Sequence, residues 1–261
     1  GGRQAIRGWR QYRGWWYYGG ASTRSSKSDN ALARSWFEKA LELDPRQGPA
    51  LSGLALTHDA DLRAHWAESP EHSIQELTRA VEESISVDDS DAVAQWALGR
   101  ACDMRGEPEK AVAAFERAIE LNPSLAHVYA SLGYVLAILG RPEEGIERVR
   151  EGMRLSPRDP QIEKFFQGMT VAHFAAGRYE QAVEWAERTV QVRPDFVFAY
   201  RVLLASYAHL GRIEEAREAL QQMMRREPQF SLDTLRQRLS GANPEFVERY
   251  VEGFHKTGLT E

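Results

Sequence analysis

EKAVAAFERAIELNP, residues Glu109–Pro123, places small, bulky and small side chains at Ala111, Phe115 and Ala118, with a proline at Pro123. Spacings of four and three put the first three on one helical face. Proline then ends the helix, because it has no N–H and disfavours helix in the residue before it. The same intervals recur at Ala33, Phe37, Ala40, Pro45, at Gly145, Val149, Gly152, Pro157, at Ala182, Ala186, Thr189, Pro194 and at Ala216, Leu220, Met223, Pro228. A degenerate copy reads Leu77, Val81, Ser84, with Asp89 in the proline slot. The end positions run 45, 89, 123, 157, 194 and 228, and three of the five steps are 34 residues.

A second series stays in phase with the first. Gly106, Gly140, Gly177 and Gly211 stand in RGEPEKA, LGRPEEG, AGRYEQA and LGRIEEA, each between two helical patterns where a positive φ is cheap only for glycine. Each period is therefore a helical hairpin. One hairpin cannot bury its own apolar face, so hairpins stack on one another. The expected fold is all-α, a right-handed α-α superhelix of about six hairpins closed by C-terminal helices.

The pattern resembles the tetratricopeptide repeat family, best in Ala92–Leu125 through Leu98, Gly99, Ala111, Phe115, Ala118 and Pro123. Gln95 stands in the family's tryptophan slot, and Trp96 follows it. The repeats are expected at about 9–45, 46–91, 92–125, 126–159, 163–196 and 197–230, all within a solenoid 1–230, with a helical cap over 231–261. The second is long, with an extended first helix at about 49–68. Three extra residues fall in the turn around Arg158-Asp159-Pro160. In the cap, Asn243 reads as an N-cap and Pro244 as the first helical residue.

The chain opens on WRQYRGWWYYGG, residues 9–20, which raises a nucleic-acid platform, a membrane-surface helix, a ligand box or a core. Trp9, Tyr12 and Trp16 share a helical face, with Arg3, Arg7, Arg10 and Arg13 on another, so the stretch reads as the first hairpin's first helix packed on Phe37. Gly8, Gly14, Gly19 and Gly20 weaken a membrane-surface helix. The net charge of -5 has the wrong sign for a chain-wide nucleic-acid footprint. No apolar run reaches the roughly 18 residues a membrane span needs.

Catalytic signatures are missing. No phosphate-binding glycine loop, HExxH or GxSxG occurs. Cys102, the only cysteine, falls on a core face, where an inert thiol is expected. His58, Asp61 and His65 in HDADLRAH share a helix face and raise a metal site, against which no third imidazole or thiolate is placed. No cofactor is expected and the chain does not read as an enzyme.

In the repeats this chain resembles, the first helices line a concave groove. That resemblance points to Val93, Trp96, Arg100 and Asp103, then His127, Ala130, Tyr134 and Ala137, then Lys164, Gln167 and Phe174, and last Phe198, Arg201 and His209. Arg100, Lys164 and Arg201 would suit a protein or peptide segment bearing acid or a carboxylate, between Trp96 and Tyr134 as apolar walls. The groove asparagine with which chaperone-binding members clamp a C-terminal carboxylate is missing from these slots. A homodimer is an alternative partnership.

The lengthened second repeat, with residues 88–160, 171–196 and the ending FVERYVEGFHKTGLTE, also resembles bacterial C-terminal repeat regions attached to class III adenylate or guanylate cyclase domains. Related regions follow winged-helix transcription regulators. The resemblance implies a regulatory binding module in the cytoplasm, or in the periplasm if the parent carries an upstream membrane span. The alternative is a structural or self-assembling scaffold.

Overall fold

The computed structural model describes residues 26–63 and 66–259. These residues form thirteen helices and no strand. The expected helix over the aromatic opening stretch, with its arginine stripe, lies outside the described residues, as does His65.

The helices are α1 (Lys27–Leu43), α2 (Gly48–Arg63), α3 (Pro70–Val87), α4 (Ala92–Met104), α5 (Pro108–Leu121), α6 (Ala126–Ile138) and α7 (Pro142–Leu155). They continue as α8 (Ile162–Ala175), α9 (Tyr179–Val192), α10 (Val197–His209), α11 (Ile213–Arg226), α12 (Leu232–Arg238) and α13 (Pro244–Lys256). Helices α1, α3, α5, α7, α9 and α11 each end two residues before Pro45, Asp89, Pro123, Pro157, Pro194 or Pro228. The small–bulky–small residues of these helices are all buried, except that Leu220 is half-buried.

The turn glycines adopt the conformation their positions demand, with φ of 72° at Gly106, 82° at Gly140, 72° at Gly177 and 74° at Gly211. At Gly140 the N–H donates to the Ala137 carbonyl at 3.1 Å and Arg141 N–H to the Leu136 carbonyl at 2.9 Å. This paired pattern satisfies the last carbonyls of α6 and turns the chain directly into α7. The same pair of bonds recurs at Gly177–Arg178 and Gly211–Arg212.

Contacts divide the chain into two compact units. The first holds the described residues up to Arg105, with Ala113–Leu125 and Arg158–Gln161. Its core gathers Ala33, Phe37, Leu54, Leu77, Val81, Ala97 and Ala101. Phe37 lies so close over Gly53, and Phe115 over Gly99, that a Cβ on either glycine would overlap the ring. Asp91 caps α4, accepting from the Val93 N–H at 2.9 Å. Among the described residues the second helix of this unit runs to Arg63, and residues 66–68 are not helical, so the expected extension to about residue 68 is not reached. There the amides of Trp66 and Ala67 both turn back to the Asp61 carbonyl.

The second unit holds Gly106–Val112, Ala126–Pro157 and Ile162 onward. Within it α6 pairs with α7, α8 with α9 and α10 with α11, while α6 and α8 also lie side by side. Gly133 and Gly145 bring α6 against α7: a Cβ on Gly133 would stand 2.7 Å from the Gly145 carbonyl oxygen. Its core runs from Val149, Phe165 and Met169 through Phe174, Leu204 and Met223 to Phe246, Tyr250 and Phe254. Asn243 caps α13 as its sequence suggests, accepting from the Phe246 N–H at 3.2 Å.

Candidate functional site

The first helices of the second unit's hairpins, α6, α8 and α10, carry most of the expected groove residues. They do not face open solvent throughout. After Pro228 the chain lays α12 and α13 onto this face, so the C-terminal segment does more than close the last hairpin. Its path touches the turn glycines: the Ser240 hydroxyl lies 2.9 Å from where a Gly106 Cβ would be, and the Asn243 side chain 2.9 Å from a Gly140 Cβ. The Asn243 N–H donates to the Ile138 carbonyl at 2.8 Å, tying the segment to the end of α6.

Helix α13 is held by an aromatic stripe. Phe246, Tyr250 and Phe254 follow at spacings of four, which aligns them on one face. Phe174 on α8 meets Phe246 at a ring distance of 5.9 Å and Tyr250 at 5.4 Å, both edge-to-face. Phe254 stacks on Phe230 at 5.3 Å. Gly253 presses against α10 so closely that a Cβ there would come within 2.6 Å of the Ala205 Cα. Burying each aromatic ring contributes about 1.5–3 kcal/mol, so this stripe is the principal attachment. Polar contacts fix the register: Arg249 donates to the Ala175 carbonyl at 2.9 Å, and His209 Nε2 lies 2.6 Å from the Arg249 carbonyl oxygen.

Several expected groove residues meet here. Tyr134 and Phe198 pack edge-to-face with ring centroids 6.0 Å apart. With Phe174, Arg201, Arg238 and Tyr250 they line a small pocket between the groove face and α12–α13. His209 stacks flat on Tyr179 at 4.7 Å. Arg201 is 6% exposed and donates through Nη2 to Glu227, with its guanidinium 5.1 Å over the Phe230 ring. His127 lies at 5.9 Å from Phe165, nearer the start of the row, and Lys164 and Gln167 are half-buried on α8.

The remaining expected residues belong to the first unit, on α4. Trp96 is half-buried against that unit's core. Arg100 donates to Asp59 at 3.1 Å and to Asp103 at 3.0 Å, and Asp59 also takes Arg63 at 2.7 Å. Asp59 is 1% exposed, so Arg100 neutralises a buried carboxylate. Both arginines offered by the sequence as groove cations are thus ion-paired within the chain.

Asp61, considered as a metal ligand, accepts from Asn30 at 2.6 Å and from Arg34 at 2.7 Å. Burial, and then the Arg34 charge, push His58 down to about 4, which keeps the ring neutral. Among the described residues no group of three or more His, Cys, Asp or Glu is placed to hold a metal ion. Cys102 is buried, at 3% exposure. No described helix is long and apolar enough to cross a membrane.

Sequence reasoning missed the residues that cover the face: Glu227, Phe230, Leu235, Arg238, Phe246, Arg249 and Tyr250. The available signal was the four-residue spacing of Phe246, Tyr250 and Phe254, which marks a sticky helix face without naming the surface it meets.

Comparison with known proteins agrees with this architecture. Family profiles described as tetratricopeptide repeat match residues 17–47, 92–125 and 171–229. Over those residues the chain matches tetratricopeptide repeats. No curated protein matches it. Among solved structures it is similar to PilW, a widely conserved type IV pilus biogenesis factor, at 15% identity over 80% of this chain and 96% of that one, with a TM-score of 0.55. It is similar to Pseudomonas aeruginosa PilF at 16% identity over 87% and 94%, TM-score 0.55. It also resembles the Cut9–Hcn1 hetero-tetramer of the APC/C at 14% identity, covering 86% of this chain and 40% of that one, TM-score 0.65. At these identities the likeness is one of fold.

Proposed function

We propose that this chain is a non-catalytic recognition module that takes a segment of a partner protein on the first-helix face of its hairpins, where its own C-terminal helix is already seated. The observation that carries this is α13 itself. A face that holds Phe246, Tyr250 and Gly253 in register is chemically able to hold an amphipathic helix or extended segment of another protein. Arg100 and Arg201 already hold carboxylates of this chain, so an acidic partner segment would exchange with Asp103 or Glu227 rather than meet bare charge.

The resemblance of residues 88–160, 171–196 and 246–261 to repeat regions of bacterial cyclase-bearing proteins supports placing the module in the regulatory part of such a signalling protein, working in the cytoplasm. A scaffold that binds copies of itself is the second reading. It is supported by Leu155 and Val192, which are 47% and 44% exposed at the ends of α7 and α9.

Site-specific photo-crosslinking in the native host tests both. A crosslinker at Gln167, on the groove side of α8, should give a discrete adduct with a different polypeptide, whereas one at exposed Glu218 on α11 should not. Adducts only with a second copy of this chain would favour the scaffold. Equal adducts from both positions would overturn the groove.

A further inference from the structure

Each contact that α13 makes sets one requirement on any helix that takes its seat. Phe246 and Tyr250 meet Phe174 at 5.9 and 5.4 Å, and Phe254 stacks on Phe230 at 5.3 Å, so the seat takes aromatics at i, i+4 and i+8. A Cβ on Gly253 would come within 2.6 Å of the Ala205 Cα, and backbone cannot turn aside, so i+7 takes glycine. Arg249 donates to the Ala175 carbonyl at 2.9 Å. Ala175 is the last residue of α8, where carbonyls carry partial negative charge, so i+3 takes a long cation. Arg201 is already paired with Glu227 through Nη2, so the seat selects by shape and apolar contact rather than by net charge.

Its own helix fills the seat imperfectly. The Tyr250 hydroxyl and Arg201 Nε are buried there without a hydrogen bond to the chain, at 3% and 6% residue exposure. They line a cavity of about 20 Å³, the room of one water. Burying a bare hydroxyl and trapping a water beside it both cost free energy. The α13 of a second copy would bring the same hydroxyl, and it would compete with a tethered helix whose effective concentration is about millimolar. A different segment with phenylalanine at i+4 buries no hydroxyl and so has an advantage over α13 itself.

We propose that the α13 seat takes an amphipathic helix of a different protein, with aromatics at i, i+4 and i+8, the second of them phenylalanine, a cation at i+3 and glycine at i+7. Helix α13 is the intramolecular competitor of that segment, and it leaves on the link formed by residues 239–243. This rests on the recognition reading above and narrows it to one kind of partner helix.

Fluorescence anisotropy of a labelled peptide of residues 243–258, titrated with the full chain, is the experiment. The parent binds weakly, because only the fraction with α13 displaced is competent. In the chain, Gly253→Leu drives α13 off Ala205 and leaves the seat intact, so it should bind the peptide roughly tenfold more tightly or better. Arg249→Ala removes only the bond to Ala175 and should gain roughly fivefold; it decides the matter if Gly253→Leu loses helical circular dichroism. The peptide carrying Gly253→Leu should bind none of these chains. The peptide carrying Tyr250→Phe should bind about threefold more tightly than the native peptide.

No binding by either variant chain, equal binding by parent and variants, or binding of the peptide carrying Gly253→Leu would each overturn the proposal. So would weaker binding of the Tyr250→Phe peptide, or a parent chain that sediments as a dimer dissolved by the native peptide, which would put a second copy's α13 in the seat. Failure of the peptide beside a Gln167 adduct with another polypeptide would sink this inference and leave the groove reading standing.

Discussion

His209 Nε2 stands 2.6 Å from the Arg249 carbonyl oxygen, 40 residues on. Lys256 Nζ lies 3.3 Å from the same ring's Nδ1. An ammonium can only donate, so Nδ1 accepts and Nε2 carries the proton that goes to the carbonyl. One imidazole on the groove face therefore clips α13 at two points.

Replacing that clip should loosen α13 without disturbing the hairpins. His209→Ala removes a partly buried hydrogen bond, worth about 1 kcal/mol. Hydrogen exchange over residues 244–256 should accelerate roughly fivefold, as that loss implies. Protection in α6 and α7 should stay unchanged. Uniform acceleration across the second unit would mean that α13 is a structural strut rather than a seated segment.

Phe115 is fully buried and occupies the space left by the missing side chain of Gly99. Phe115→Ala should cost about 3–5 kcal/mol, read from the shift of a urea unfolding curve. A loss under about 1 kcal/mol would contradict the assignment of Phe115 to the hairpin core.

Gly133→Ala sets helix propensity against packing. Alanine in mid-helix gains about 1 kcal/mol over glycine. Here the new methyl would meet the Gly145 carbonyl oxygen at 2.7 Å, and backbone cannot turn aside as a side-chain tip can. Overpacking of this kind costs about 1–3 kcal/mol, so the net sign should be destabilising. A rise in melting temperature would show that α6 and α7 sit too far apart for that overlap.

Two buried histidines give the fold a pH dependence. Burial first, then Arg178 and Arg150 against Glu143, push His173 down to about 4. His58 is likewise held at about 4, by burial and Arg34, with Glu76 and Asp61 acting the other way and His72 adding to the depression. The unfolded chain titrates these rings near 6.5. Between about 4 and 6.5 the unfolded state binds more protons, so stability should fall as pH drops through that window and be level with respect to these rings above it. Urea midpoints at about pH 7.5, 5.5 and 4.5 measure it. His173→Phe should flatten the slope, and an unchanged slope would assign it to other groups.

Much of this architecture can be read locally, and the reason is periodicity. A proline two residues beyond a helix end, or a glycine at a positive-φ corner, acts through its own backbone, so Pro123 and Gly140 mark their turns without reference to distant chain. Ion pairs are different. Arg100 and Arg201 look like groove cations because nothing in their neighbourhood reveals Asp59, 41 residues earlier, or Glu227, 26 residues later. The seat of α13 is hidden for the same reason: Phe246, Tyr250 and Phe254 advertise an apolar stripe, but only the fold brings Phe174 and Ala205 beneath it. The pocket holding the Tyr250 hydroxyl depends on that seating and has no sequence signature of its own.

The close approach of Gly253 to Ala205 tests the occupied groove most directly. With alanine methyls and glycine Hα protons selectively labelled, the full chain should show a strong nuclear Overhauser effect between the Gly253 Hα protons and the Ala205 methyl. Absence of that cross-peak in a folded sample, with glycine and alanine signals assigned, would contradict the account and leave the first-helix face open.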